Sequence, residues 1–113
     1  MRDWSTYRDS LLACVCDFAT FNPEVIRGLV AIDTATARSA HLEPKIHDLI
    51  ALAVAVTTRC DGCISIHSKK AIEDGATSAE ITEALGVAIA LNAGATFCYV
   101  ARVFDALAQL PDK

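Results

Sequence analysis

The sequence predicts an all-α fold of about six helices. Apolar residues recur at helical spacing along most of the chain, and a proline or a capping residue stands where several of these periods begin. No segment offers a convincing strand partner for any other. The 113 residues leave room for one domain, 1–113, and they contain no linker, repeat or low-complexity segment.

The first two helices follow from amphipathic periods. The first period comprises six apolar residues: Trp4, Tyr7, Leu11, Leu12, Val15 and Phe18. Asn22 and Pro23 then supply a cap and a proline at the first position of a second helix, which fades near Arg38. We expect this second helix to bury five side chains: Val25, Ile26, Leu29, Val30 and Ile32.

Pro44 opens a third helix in the same way, and the helix continues through the apolar run 49–56. This run is also compatible with a buried strand, but its alanines and its continuity with residues 45–48 favour a helix. A fourth helix is expected to begin near Cys60. It ends at Gly75, a residue suited to a left-handed C-terminal cap.

Thr77 and Glu80 have the spacing of a capping box, so a fifth helix is expected to start there. The uncharged segment 84–101 follows, and its Asn92-Ala-Gly94 predicts a break before a sixth helix that Pro111 ends. An uncharged segment of this length approaches a bilayer span. Glycines and polar residues interrupt it and no Lys or Arg cluster flanks it, so we expect no membrane span.

Composition restricts the partners and the compartment. Apolar residues make up 53% of the chain but aromatics only 6%, and a chain of this size buries only about two-thirds of its unfolded surface. We therefore expect a homo-oligomer in which small-residue helix faces pack between subunits. The net charge of −4 argues against nucleic acid as a partner. Five cysteines without a signal peptide predict a reducing, cytoplasmic location.

The segment that indicates chemistry contains Cys60, Cys63 and His67. On a helix these residues share one face, with Cys63 and His67 four residues apart. An imidazole or a helix N-terminus favours the reactive thiolate, and a second thiol three residues away can convert an oxidised sulfur into a disulfide. The pattern predicts dithiol redox chemistry.

Asp48 is the second candidate, because it stands at the start of a long apolar run where an unpaired buried carboxylate is costly. If the third and fourth helices pack antiparallel, Asp48 can approach His67 and fix its tautomer or accept its proton. By spacing alone, an ordinary acid in the first turns of a helix is an equally good interpretation.

The block 42–56, followed by Cys60-x-x-Cys63-x-x-x-His67, resembles the carboxymuconolactone decarboxylase superfamily. The cysteine pair is similar to its AhpD-like alkylhydroperoxidase branch, and the resemblance covers about 42–107. It implies an all-helical fold assembled as trimers or hexamers. It also implies reduction of a peroxide without a metal or an organic cofactor. An external dithiol, which in relatives can be a lipoyl-bearing protein, regenerates the thiols.

By position, the resemblance implies that Cys63 is the peroxidatic thiol and Cys60 the resolving and more accessible one, with His67 and Asp48 in the proton relay. The chain departs from the family twice. Asp48 stands where Glu is typical, and its shorter arm could need a water to reach the histidine. Gly62 stands where His or an aromatic residue is common. Helix-dipole reasoning favours a lowered pKa at Cys60 instead, but we assign peroxide attack to Cys63.

Three alternatives remain open at this stage. One is a dithiol–disulfide oxidoreductase without significant peroxidase activity. Another is a zinc site, whose ligands would be Cys60, Cys63, His67 and either Asp48 or His47. The third is an interaction module with inert, buried thiols. Haem attachment is excluded because Ile64, not His, follows the second cysteine.

The remaining cysteines and histidines carry only structural expectations. Cys14, Cys16 and Cys98 are expected to be inert core thiols. His41 is expected in the loop before Pro44, and His47 on a solvated first turn.

Overall fold

The computed structural model describes residues 2–111, which form five α-helices and no strand. The helices are α1 (Trp4–Phe21), α2 (Pro23–Ser39), α3 (Pro44–Thr58), α4 (Asp61–Glu73) and α5 (Ser78–Ala108). The all-α prediction is confirmed.

The helix ends follow local sequence closely. Pro23 and Pro44 occupy the first turns of α2 and α3, as predicted. Gly75 adopts φ +90° just beyond α4, a conformation that a residue with a Cβ adopts only under strain. At the start of α5 both halves of the capping box form between Thr77 and Glu80. These ends are set by side chains and backbone groups within one or two turns of each other, and this explains why the sequence predicts them.

The predicted break in the last helix is wrong, because α5 continues through residues 92–94. The side-chain Nδ2 of Asn92 donates a hydrogen bond to the Ala88 carbonyl at 2.7 Å and another to Thr57 Oγ1 of α3 at 2.8 Å. A mid-helix glycine such as Gly94 costs only about 1 kcal/mol relative to alanine. This hydrogen bond to α3 keeps Asn92 within the helix. Residues 2–111 therefore form five helices where six were expected.

The core is small and lies where α3 packs against both α4 and α5. Leu52, Ala71 and Ala76 are buried there, and three half-buried side chains surround them: Leu49, Ile81 and Leu85. Because most of the buried residues are alanines, the helices can approach closely. An ion pair of 2.9 Å between Lys45 and Glu80 joins the starts of α3 and α5.

The apolar faces of α2 and of most of α5 lie outside this core. In the single chain Leu29 is 59% exposed and Ile32 69% exposed, so the expected burial of the α2 face is wrong; only Ile26 is half-buried. The radius of gyration is 19.1 Å, against about 13 Å for a compact domain of this length. The fold therefore leaves large apolar faces uncovered.

α5 also meets the length and composition criterion for a membrane-spanning helix, a criterion that core helices of soluble proteins meet as well. Only Ala88 of this helix is buried in the chain.

Loss of the α5 cap tests how much the fold depends on this helix. Thr77→Ala removes the side-chain acceptor for the Glu80 amide, so we expect a loss of about 0.5–2 kcal/mol in unfolding free energy. Ser78→Ala, one residue further on, is the control, since no hydrogen bond of the Ser78 side chain contributes to the cap. Urea unfolding of both variants measures the difference. Equal stability of the two would contradict the capping role.

Candidate active site

A tight turn between α3 and α4 positions the site. Arg59 ends α3 in the left-handed region at φ 57°, and the Cys60 amide donates to the Ala55 carbonyl at 3.0 Å. The chain therefore reverses within two residues, and α4 returns along α3. The early residues of α3 come to face the later residues of α4.

The two cysteines lie at the start of α4. Cys60 is the N-cap, and its Sγ accepts a hydrogen bond from the Cys63 amide at 3.1 Å. The Sγ atoms of Cys60 and Cys63 are paired at disulfide distance, with Cα atoms 5.3 Å apart, inside the usual range for a disulfide. Both residues are half-buried.

His67, one turn after Cys63, contacts the carboxylate that the sequence singled out. Its Nδ1 lies 3.3 Å from Asp48 Oδ1, and Asp48 is 3% exposed. α3 and α4 therefore pack antiparallel, which is the arrangement that this contact requires. The shorter aspartate arm reaches the imidazole directly, so the expected need for a bridging water is wrong. Within residues 2–111, no hydrogen bond joins His67 to either sulfur.

The surroundings of Asp48 favour its protonated form. Burial raises the pKa of Asp48 above its usual value, and the nearby Asp74 carboxylate raises it further. The hydrogen bond from His67 and the charge of Lys70 act in the opposite direction without cancelling the increase. Asp48 Oδ2 is buried and has no hydrogen-bond partner among the described residues.

α1 covers the cysteine end of α4. Arg8 Nε donates to the Ser65 carbonyl at 2.9 Å, and a Cβ added at Gly62 would lie 2.9 Å from Leu11 Cδ2. Leu11 thus occupies the space into which a larger side chain at position 62 would extend. This explains why glycine is accommodated there. The sequence predicted α1 but contained no signal for this contact, because Arg8 and Leu11 lie more than fifty residues away.

Asp48 also lines a cavity of about 440 Å³ between the end of α2 and the facing ends of α3 and α4. Its polar lining includes His41, His47, Lys70 and Asp74. His41 lies in the loop before Pro44, and His47 lies on the first turn of α3, both as expected, although His47 is half-buried. Sequence reasoning missed Lys70 and Asp74, since nothing in their local pattern indicates proximity to Asp48.

The expectation that the other cysteines are core residues is wrong for the single chain, where Cys14, Cys16 and Cys98 are all exposed. Among residues 2–111, no group of three or more His, Cys, Asp or Glu side chains is arranged to hold a metal ion. The zinc alternative therefore gains no support from the geometry.

Residues 23–106 match the sequence profile of the carboxymuconolactone decarboxylase family, and the chain belongs to that family. An uncharacterised protein of Haemophilus influenzae is 40% identical over 104 residues, covering 92% of each chain. An uncharacterised protein of the cox locus of Paracoccus denitrificans is 33% identical, covering 72% of this chain and 73% of its own length.

The fold has a solved counterpart. A carboxymuconolactone decarboxylase family protein from Legionella pneumophila, crystallised in its apo form, superposes with a TM-score of 0.74 at 30% identity. The match covers 91% of this chain and 92% of that one. The all-helical fold is therefore that of the family over nearly its whole length.

Replacement of Asp48 by asparagine should stabilise the protein. Because the pKa of Asp48 is raised above its unfolded value near 3.8, wild-type stability falls as pH rises through the folded pKa, and the full cost applies above it. We expect Asp48→Asn to raise Tm at pH 7, with a gain that shrinks towards pH 3. Asp9→Asn, at an exposed position of α1, is the control. A lower Tm at pH 7 for Asp48→Asn than for wild type would contradict this.

Proposed function

We propose that this protein is a thiol-dependent peroxidase of the AhpD-like branch, with Cys63, Cys60, His67 and Asp48 as its working residues. The observation that carries the proposal is a cysteine pair at disulfide distance at the start of α4. His67 lies one turn further along the same helix and contacts the buried Asp48. The family membership supports it, because that family includes the branch in which such a pair reduces peroxides.

In the reduced enzyme, the Cys63 thiol gives its proton to the relay of His67 and Asp48. The thiolate attacks one peroxide oxygen and the O–O bond breaks, so that the sulfur loses two electrons and the peroxide gains them. The products are a sulfenic acid on Cys63 and an alkoxide, which takes up the proton and leaves as the alcohol.

Cys60 then resolves the sulfenic acid. Its sulfur bonds to Cys63 Sγ, the S–O bond breaks, and the hydroxyl leaves as water with the Cys60 thiol proton. The resulting disulfide is the pairing described above. An external dithiol restores both thiols by exchange and becomes a disulfide itself. This donor, which in relatives can carry a lipoyl group, is the expected protein partner.

A dithiol–disulfide oxidoreductase is the second candidate, and one observation favours it. The Cys63 backbone amide donates a hydrogen bond to Cys60 Sγ, whereas no hydrogen bond joins His67 to Cys63 in the described part of the chain. A helix N-terminus that stabilises a Cys60 thiolate suits exchange with a disulfide substrate. The two candidates differ in whether peroxide or a disulfide oxidises the reduced protein faster.

The decisive experiment compares turnover of an alkyl hydroperoxide, with a dithiol donor, in matched variants. We expect Cys63→Ser to abolish turnover and His67→Ala to lower it by roughly 10²-fold or more, because a positioned proton acceptor contributes that much. Cys98→Ser, at an exposed cysteine outside the site, should leave turnover unchanged.

Peptide mapping under non-reducing conditions should recover a Cys60–Cys63 disulfide after peroxide treatment. Undiminished turnover in Cys63→Ser would overturn the proposal. Faster oxidation by a disulfide than by peroxide would favour the second candidate, and about one zinc per chain in untreated protein would favour the metal alternative.

We also propose that the protein works in the cytoplasm as a soluble homo-oligomer, a trimer or hexamer. The uncovered apolar faces of α2 and α5 support this, because a soluble chain gains free energy by burying such faces against another copy.

The oligomer proposal predicts the size of the protein in detergent-free buffer. Light scattering should give the mass of three or six chains. Ile89→Glu, which places a charge on an exposed apolar position of α5, should shift the protein to smaller species. Glu83→Gln on the same helix is the control for an exposed polar position. A stable wild-type monomer would contradict the proposal.

A further inference from the structure

We propose that α1 is a gate over the redox pair: it shields the Cys60 sulfur from a dithiol carried on a protein and admits a small dithiol. The gate acts at the step in which an external donor regenerates the thiols, and in that respect it rests on the proposed function. It requires that the Cys60–Cys63 disulfide can be reduced, but not that a peroxide formed it.

The first half of α1 has one half-buried face. This face comprises four residues at helical spacing: Trp4, Tyr7, Arg8 and Leu11. From Leu12 onwards the side chains of α1 are exposed, apart from the half-buried Ala19. Apart from the adjoining α2, the helix against which α1 mainly packs is α4. α1 is therefore attached to the rest of the fold chiefly through its first turns.

α1 and the residue before it are attached to α4 at the segment that carries the second cysteine. Arg2 forms an ion pair of 3.1 Å with Asp61, and its Cζ atom lies 4.5 Å from the centre of the Tyr7 ring. Arg8 Nε donates to the Ser65 carbonyl at 2.9 Å. Both polar contacts therefore reach α4 between positions 61 and 65, on either side of the second cysteine.

The apolar part of this contact borders a sulfur atom. A Cβ added at Gly62 would lie 2.9 Å from Leu11 Cδ2 and 3.9 Å from Cys60 Sγ, so the leucine and the sulfur border the same space. Thiol–disulfide exchange requires the attacking sulfur to reach one sulfur of the pair, and its rate depends on that access. Leu11 therefore narrows the approach to Cys60, which is half-buried.

α1 can move away from α4 without disrupting the core. The core around Leu52 lies between α3, α4 and α5, and among the described residues it contains none from α1. The side chains of the Arg2–Asp61 pair are each 47% exposed, and exposed ion pairs contribute little to stability. The match to the family begins only at residue 23, after this helix. A weakly attached element opens far more often than the whole protein unfolds.

The gate selects the donor by its size. In the first exchange a donor thiolate bonds to Cys60 Sγ, the S–S bond breaks, and Cys63 leaves as a thiolate that takes up a proton. The second donor thiol loses its proton and displaces Cys60, which takes up a proton in turn, so the donor becomes a disulfide. A small dithiol completes these steps in the narrow approach, whereas a dithiol on a protein surface needs α1 to move first.

The test compares two reductants of the same preformed disulfide, dithiothreitol as the small dithiol and thioredoxin as the protein dithiol. Samples of the oxidised protein are quenched by alkylation at successive times after each reductant is added. Mass spectrometry of the peptide that contains Cys60 and Cys63 then gives the reduced fraction. The quantity compared between variants is the ratio of the thioredoxin rate constant to the dithiothreitol rate constant.

We expect Leu11→Ala to raise this ratio by about tenfold, because the loss of a half-buried leucine contact weakens the closed position of α1 by about that factor. Arg2→Gln, which leaves Leu11 in place, should raise it by about threefold through loss of the exposed ion pair. Two controls should leave the ratio unchanged: Leu12→Ala at the neighbouring exposed position, and Arg27→Gln, which breaks an exposed ion pair within α2.

A ratio equal to that of wild type in either test variant would overturn the gate. In Leu11→Ala it would mean that the leucine shields nothing, and in Arg2→Gln that α1 need not move. A merely structural role for α1 would lower the Tm of Leu11→Ala and leave the ratio unchanged, which also counts against the gate. If Leu11→Ala does not fold, Arg2→Gln decides the question alone, because it changes only an exposed side chain.

The same measurement separates the gate from the peroxidase function. If wild type reduces no peroxide but the ratio rises in both test variants, the proposed function fails and the gate stands. Normal peroxide turnover with an unchanged ratio would overturn the gate alone. Failure of thioredoxin to reduce either variant, with normal reduction by dithiothreitol, would also overturn it.

Discussion

The contact between Asp48 and His67 is the interaction on which the site depends. It requires a carboxylate to be buried early in α3, which is unfavourable unless α4 returns antiparallel and brings an imidazole to it. The turn at Arg59 makes that return possible, and the same turn places Cys60 at the N-cap of α4. The contact of Asp48 with His67 and the cysteine pair are therefore both consequences of one helical hairpin.

The hairpin has a cost in stability. Oδ2 of Asp48 is buried without a partner, and the core beside it contains mostly alanines, with Leu52 as its largest buried side chain. Alanines let α3, α4 and α5 approach closely, but they bury little apolar area for each residue. A protein that keeps a buried, unpaired carboxylate oxygen next to a small core needs further burial elsewhere, and the uncovered faces of α2 and α5 are the surfaces available for it.

The site also depends on contacts from α1. This helix lies outside the region 23–106 that matches the family, yet its Arg8 and Leu11 contact the cysteine end of α4. Leu11 occupies the space beside Gly62 into which a larger side chain would extend.

The sequence by itself determined the helix starts and the shared face of Cys60, Cys63 and His67, and it left the contact of Asp48 with His67 as one of two equally good interpretations. Those features depend on caps, on helical periodicity and on one antiparallel hairpin, all of which act over short distances along the chain. Only the tertiary structure decided that α5 continues past Asn92, because the partner that holds the side chain is Thr57 of another helix. It likewise decided that Asp74 lines the same cavity as Asp48 and that the apolar face of α2 stays uncovered in the single chain. Contacts between distant segments depend on how helices pack, and hydrophobic periodicity identifies an apolar face without identifying its partner.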